Sequence, residues 1–150
     1  MPVFFILVIT IVILIRYETS KSSKAESQAR RDFWQREREA SFTRNQDISG
    51  LDYIKIPSDL LSSLPELPDE TYIAARQKIE ALSETQILNL TGLSNTDLKA
   101  TYGTGNFMFL SECDERFNDL YVALKTIIKA LEKAGNEEDA KRISDYLESL

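Results

Sequence analysis

The sequence predicts an all-α protein: an N-terminal transmembrane helix, a charged helical stalk and a small helical bundle ending in an antiparallel helix hairpin. Three observations carry that expectation. Residues 2–15 hold no charge and Thr10 as their one polar side chain. From Asp69 onward, residues suited to helix caps alternate with apolar residues spaced three and four apart. Composition turns sharply along the 150-residue chain, whose formal charge is −6. Arg16 to Arg44 carries eight basic and five acidic residues, a net of +3, whereas Asn45 onward carries ten basic and nineteen acidic, a net of −9. The predicted divisions are an anchor at 1–16, a basic juxtamembrane stalk at 17–45 and a helical domain at 46–150.

Composition also narrows function. There is no histidine, and Cys113 is the single cysteine. Ser-His-Asp and Cys-His arrangements are thereby excluded, as are an intrachain disulfide and the common zinc sites. A net acidic chain without basic blocks is a poor match for nucleic acid, whose binding rests on phosphate neutralisation. No catalytic residue, metal or cofactor is expected.

The anchor is short. With Met1 it spans roughly 22 Å as a helix against a hydrocarbon core of about 30 Å. Arg16 can snorkel and Tyr17 can sit at headgroup level. A cleaved signal peptide would need basic residues before the run and a small-x-small site after it; here Arg16-Tyr17-Glu18 follows. Every nearby basic residue lies on the carboxyl side, which predicts a single-pass cell-membrane protein with its amino terminus outside and its C-terminal domain cytoplasmic. The lipid bilayer around residues 2–15 and anionic lipid near the basic stalk are the expected lipid partners.

Ser22 to Ala40 lacks Gly and Pro and favours helix. Phe33 and Trp34 are adjacent, about 100° apart on a helix, and so form no single stripe. Either this is a solvated stalk whose two aromatics pack back on the distal domain, or the pair docks on headgroups or on a partner among Arg30, Arg31, Arg36 and Arg38. The alternating Arg and Glu residues favour the first.

The segment Asp52-Tyr53-Ile54-Lys55-Ile56-Pro57 reads as a short extended arm with Ile54 and Ile56 on the side that packs against helices. Pro57, Pro65 and Pro68 forbid a continuous helix there. Asp69 caps a helix to about Ser83 with Tyr72, Ala75, Ile79 and Leu82 inward. Ser83-x-x-Gln86 predicts a short helix stopped by Gly92, and Ser94-x-x-Asp97 another with Gly103 at its end. Asn106 caps a turn holding Phe107 to Leu110. Ser111-x-x-Asp114 opens the longest helix, which runs to about Ala134 with Phe117, Leu120, Tyr121, Leu124, Ile127, Ile128 and Leu131 on one broad face. Gly135 ends it, and Asn136 caps a last helix carrying Ala140, Ile143, Leu147 and Leu150.

Leu131-x3-Gly135-x4-Ala140 is similar to the middle of a tetratricopeptide repeat, with Ser144 where a large aromatic would stand. Further residues carry a second likeness: Phe33-Trp34-x-Arg36-Glu37-x-Glu39-Ala40, Leu51-Asp52-Tyr53-Ile54-x-Ile56-Pro57, Asn89-Leu90-Thr91-Gly92-x-Ser94-Asn95-Thr96-Asp97-Leu98-Lys99 and Tyr102-Gly103-x-x-Asn106. In these the chain resembles an uncharacterised family of small single-span proteins of Gram-positive bacteria. The resemblance implies an anchor, a charged stalk and a helical, tetratricopeptide-like domain, and no activity. It also leads one to expect a residue such as alanine where Gly105 stands.

Phe33 and Trp34, together with Asn89, Thr91, Ser94, Asn95, Asp97, Tyr102 and Asn106, are the candidate interaction surface. Helix caps and turns account for the polar members equally well. The function expected is a membrane-tethered helical interaction module, an adaptor holding a protein partner near the bilayer. A small subunit of a larger envelope complex is the alternative, and a membrane-proximal enzyme a more remote one.

Overall fold

The computed structural model describes residues 25–150 and, ahead of them, Ile9 alone. The predicted anchor otherwise lies outside the described residues, as does the stalk before residue 25. Among the described residues the chain is all-helical and no helix is long and apolar enough to cross a membrane. Six helices are described: α1 over 25–41, α2 at Asp59–Ser62, α3 at Glu70–Ser83, α4 at Asn95–Tyr102, α5 at Thr104–Lys133 and α6 at Glu137–Glu148.

The 30-residue α5 is the spine, about 45 Å long at 1.5 Å per residue, with α3, α4 and α6 packed against it. Its inner positions Phe117, Leu120, Leu124, Ile127 and Leu131 recur at three and four and are buried. They meet Tyr72, Ala75, Ile79 and Leu82 from α3 and Ala140 and Ile143 from α6, and this forms the larger core. Asp69 starts α3 as expected, its carboxylate accepting from the amides of Thr71 at 2.9 Å and Tyr72 at 3.2 Å. Gly135, at φ 78°, turns the chain into α6, so the predicted hairpin is present. Asn136 holds the N-cap position of α6, but its side chain makes no capping bond.

The proline-rich arm is pinned rather than helical. Ile54 and Ile56 pack on the larger core. Arg76 donates to the carbonyls of Leu61 at 3.1 Å and Pro65 at 3.4 Å, and the Tyr72 hydroxyl donates to Pro65 O at 2.6 Å. These bonds satisfy carbonyls that the one-turn α2 and the prolines leave open.

Two expected elements differ. No helix forms directly after Ser83: residues 86–90 are in neither helix nor strand. Ile87 enters the larger core, while its neighbour Leu88 enters a smaller one with Leu90, Leu98, Leu110 and Cys113, so this segment joins both cores at once. Its backbone is satisfied by Ile54 N donating to Ile87 O at 2.9 Å and Leu88 N donating to Cys113 O at 3.3 Å.

The second difference is at α5, which begins at Thr104 and runs through Ser111 without a break. Ser111 and Asp114 are therefore interior residues rather than caps. Asp114 instead accepts from the amide of Leu90 at 3.1 Å, tying the 86–90 segment to the spine.

Candidate interaction site

The polar residues singled out in the sequence gather around α4. Ser94 and Asp97 form a complete capping box: the Asp97 amide donates to Ser94 Oγ at 3.2 Å, and the Ser94 amide donates back to Asp97 Oδ2 at 3.0 Å. The Ser94 side chain, then its backbone amide, holds the Asp97 carboxyl below its ordinary value, with Arg36 of α1 adding in the same direction.

Asn89 closes a turn by accepting from the Thr91 amide at 3.1 Å and reaches Leu150 O at 3.1 Å. Thr91 and Asn95 are exposed. Asn106 donates to Tyr102 O and to Gln46 O, each at 2.8 Å. Half-buried Tyr102 packs at the edge of the smaller core. These residues serve caps, turns and a junction, and they do not converge on one cavity.

That junction is the feature the sequence did not reveal. Helix α1 is clamped along α4 by Glu37. Its carboxylate accepts from the Thr96 hydroxyl at 2.6 Å and forms an ion pair with Lys99. Both charged side chains are about four-fifths covered, Glu37 at 22% and Lys99 at 23% exposure. The Lys99 bond first, and the Thr96 bond next, lower the Glu37 pKa from 4.5. The Lys99 ammonium also sits 5.1 Å from the centre of the Phe107 ring. One turn on, Ala40 is buried at 2% exposure.

The chain leaving α1 is stitched to the α4–α5 corner. Asn45 Oδ1 accepts from the Gly105 amide at 2.8 Å, and the Gln46 amide donates to Tyr102 O at 3.0 Å. The corner depends on two glycines. Gly103 has φ 88° and ψ 153°, a region almost confined to glycine. A Cβ there would lie 2.6 Å from Asn45 Cα and 2.7 Å from Asn45 N. A Cβ on Gly105 would overlap the Asn45 side-chain amide. A small residue such as alanine at 105 would therefore need the Asn45 side chain to move and give up its bond to the Gly105 amide.

The Phe33 and Trp34 rings meet edge to face at 5.5 Å and remain 45% and 60% exposed. Glu37, Ala40, Asn45, Gln46 and Lys99, which build the junction, were absent from the expected site. Their partners lie about sixty residues away, and nothing in local spacing marks them.

A second surface lies on the hairpin. Between α5 and α6 runs a groove of about 580 Å³ whose walls include Tyr121, Lys125, Ile128, Lys129, Ser144 and Leu147. The Lys125 ammonium lies 4.5 Å from the centre of the Tyr121 ring, and Val122 beside it is 63% exposed. Cys113 is fully buried, and burial pushes its thiol up. Among the described residues no cluster of three acidic or thiol side chains is placed to hold a metal ion. Compared with known proteins, the chain matches no family model, no curated protein and no solved structure.

Proposed function

We propose that the chain is a membrane-tethered helical adaptor: the apolar run at 2–15 sits in the cell membrane and the helical body holds a protein partner on the cytoplasmic side. The observation that carries this reading is the clamp of Glu37 on Thr96 and Lys99. A stalk fastened in this way makes residues 25–45 and the acidic body one unit, so that whatever binds the body is held beside that basic helix. The basic border after the run supports the cytoplasmic orientation. The likeness to single-span proteins with an anchor, a stalk and a helical domain fits the same layout.

The polar stretch from Asn89 to Asn106 is largely taken up by caps and by the contact with α1. The hairpin groove is open, pairing apolar Tyr121, Ile128 and Leu147 with the cations Lys125 and Lys129 and the acids Glu132 and Glu148. It is the surface assigned to the partner. A photo-crosslinking residue at Tyr121, introduced in the full chain in living cells, tests the proposal. The expected result is one discrete protein adduct, absent when the crosslinker stands at exposed Ile73 on α3. Adducts with lipid alone, or with the chain itself alone, would remove the adaptor reading.

A further inference from the structure

The clamp fixes which face of α1 remains free. Glu37 and Ala40 face the body. Arg31, Trp34 and Arg38 recur at three and four on a face beside the docking one, all exposed, and Phe42, in the turn just after α1, is 84% exposed. Ser27 and Gln35 fall on the same side, where Glu39 is the acidic residue lining the surface. Glu26 pairs with Arg30 at 3.2 Å, and Glu39 accepts from Gln35 at 3.0 Å at the margin of the stripe. Two arginines around an exposed tryptophan match a surface that is anionic at its polar edge and apolar just beneath.

We propose that this stripe lies flat on the anionic headgroups of the bilayer, with Arg31 and Arg38 at lipid phosphates and Trp34 and Phe42 entering the interface. The inference rests on the membrane-tethered reading above. It adds an orientation that the anchor alone leaves open. At about 100° per residue the docking face is centred roughly 120° round the helix from the stripe, so the body hangs to the side of the helix and away from the lipid. A helix is about 10 Å across, which is also about the Debye length at physiological salt. The acidic body, with its net of −9 from Asn45 onward, is thus held where its repulsion from the same headgroups is largely screened.

Trp34 is the single tryptophan of the chain, so its fluorescence reports this contact alone. The test uses the full chain in vesicles of phosphatidylcholine, with and without phosphatidylglycerol, and brominated acyl chains as quencher. Anionic vesicles should shift Trp34 emission to the blue and quench it, and neutral vesicles or high salt should largely abolish both effects. Each arginine lost should lower the docking constant about fivefold, the equivalent of about 1 kcal/mol. Arg31→Glu combined with Arg38→Glu should therefore abolish the signal, while Lys141→Glu on α6 leaves it unchanged. Equal emission in both lipid mixtures, from protein that floats with both, would overturn the stripe alone. Failure to float with either would overturn the tether and the stripe together.

Discussion

Replacing Gly103 with alanine should do more damage than any other single methyl added to a glycine of the body. The backbone there has φ 88° and ψ 153°, and holding a residue with a Cβ in that region costs about 1–3 kcal/mol. The new methyl would also fall within 2.7 Å of Asn45 backbone atoms, which no side-chain rotation relieves. The segment leaving α1 must then move, and three hydrogen bonds lie in its path: Gly105 N to Asn45 Oδ1, Gln46 N to Tyr102 O and Asn106 Nδ2 to Gln46 O. At about 1 kcal/mol each, partial loss brings the total to about 3–5 kcal/mol. Gly92→Ala is the internal standard: φ is 91° but nothing lies within 4 Å, so only the conformational cost of about 1–2 kcal/mol applies. Gly50→Ala, at ordinary φ and in open space, should be neutral or slightly stabilising. Denaturant titration of the full chain in detergent micelles gives the ranking. Amide exchange should show α1 losing protection in Gly103→Ala while the centre of α5 keeps it. The reasoning fails if Gly103→Ala costs no more than Gly92→Ala, or if α1 exchange is unchanged.

Other outcomes follow from the same contacts. Ser94→Ala removes one half of the capping box and should lower stability by about 0.5–2 kcal/mol by denaturant titration, with Asn95→Ala, at the exposed first residue of α4, nearly silent. Leu124→Ala empties a fully buried position of the spine and should cost about 2–5 kcal/mol, read as a lower denaturation midpoint at unchanged slope. Glu37 titrates lower in the folded protein than its ordinary 4.5, so its charged form stabilises the fold above that pH and the contribution disappears as pH falls through the lowered value. The stability lead of the native chain over Glu37→Gln should accordingly be full at neutral pH and vanish in acid. A lead that grows in acid would contradict the clamp.

How much of this was legible depends on the range of each interaction. Asp69, the Ser94–Asp97 box, Gly103 and Gly135 act within three or four residues of themselves, and their turns and helix ends stand where the sequence places them. The apolar stripe of α5 is equally local, and with it the hairpin to α6. The start of α5 was misplaced because Asn106 and Ser111 are good caps in isolation. Asn106 instead bonds the carbonyls of Tyr102 and Gln46, and the helix continues past both residues. The segment at 86–90 departs from its predicted helix for a related reason: its conformation is selected by two cores built from residues far along the chain, which outweigh a local capping signal.

The site was the least legible part. Phe33, Trp34 and the polar run around α4 are conspicuous in the sequence, yet most of that run caps and joins helices. The decisive residues, Glu37, Asn45 and Lys99, are ordinary surface types whose partners lie across about sixty residues of chain. Once they are placed, the exposed arginine–tryptophan stripe follows as the side that the clamp leaves open.

The orientation of the body can be tested in one measurement. Val122 is 63% exposed on α5 and native Cys113 is fully buried, so Val122→Cys supplies one accessible thiol without competition from the native one. Treated with a membrane-impermeant maleimide, intact cells should leave Val122→Cys unlabelled, and permeabilised cells should label it fully. Equal labelling before permeabilisation would put the body outside the cell and overturn the account.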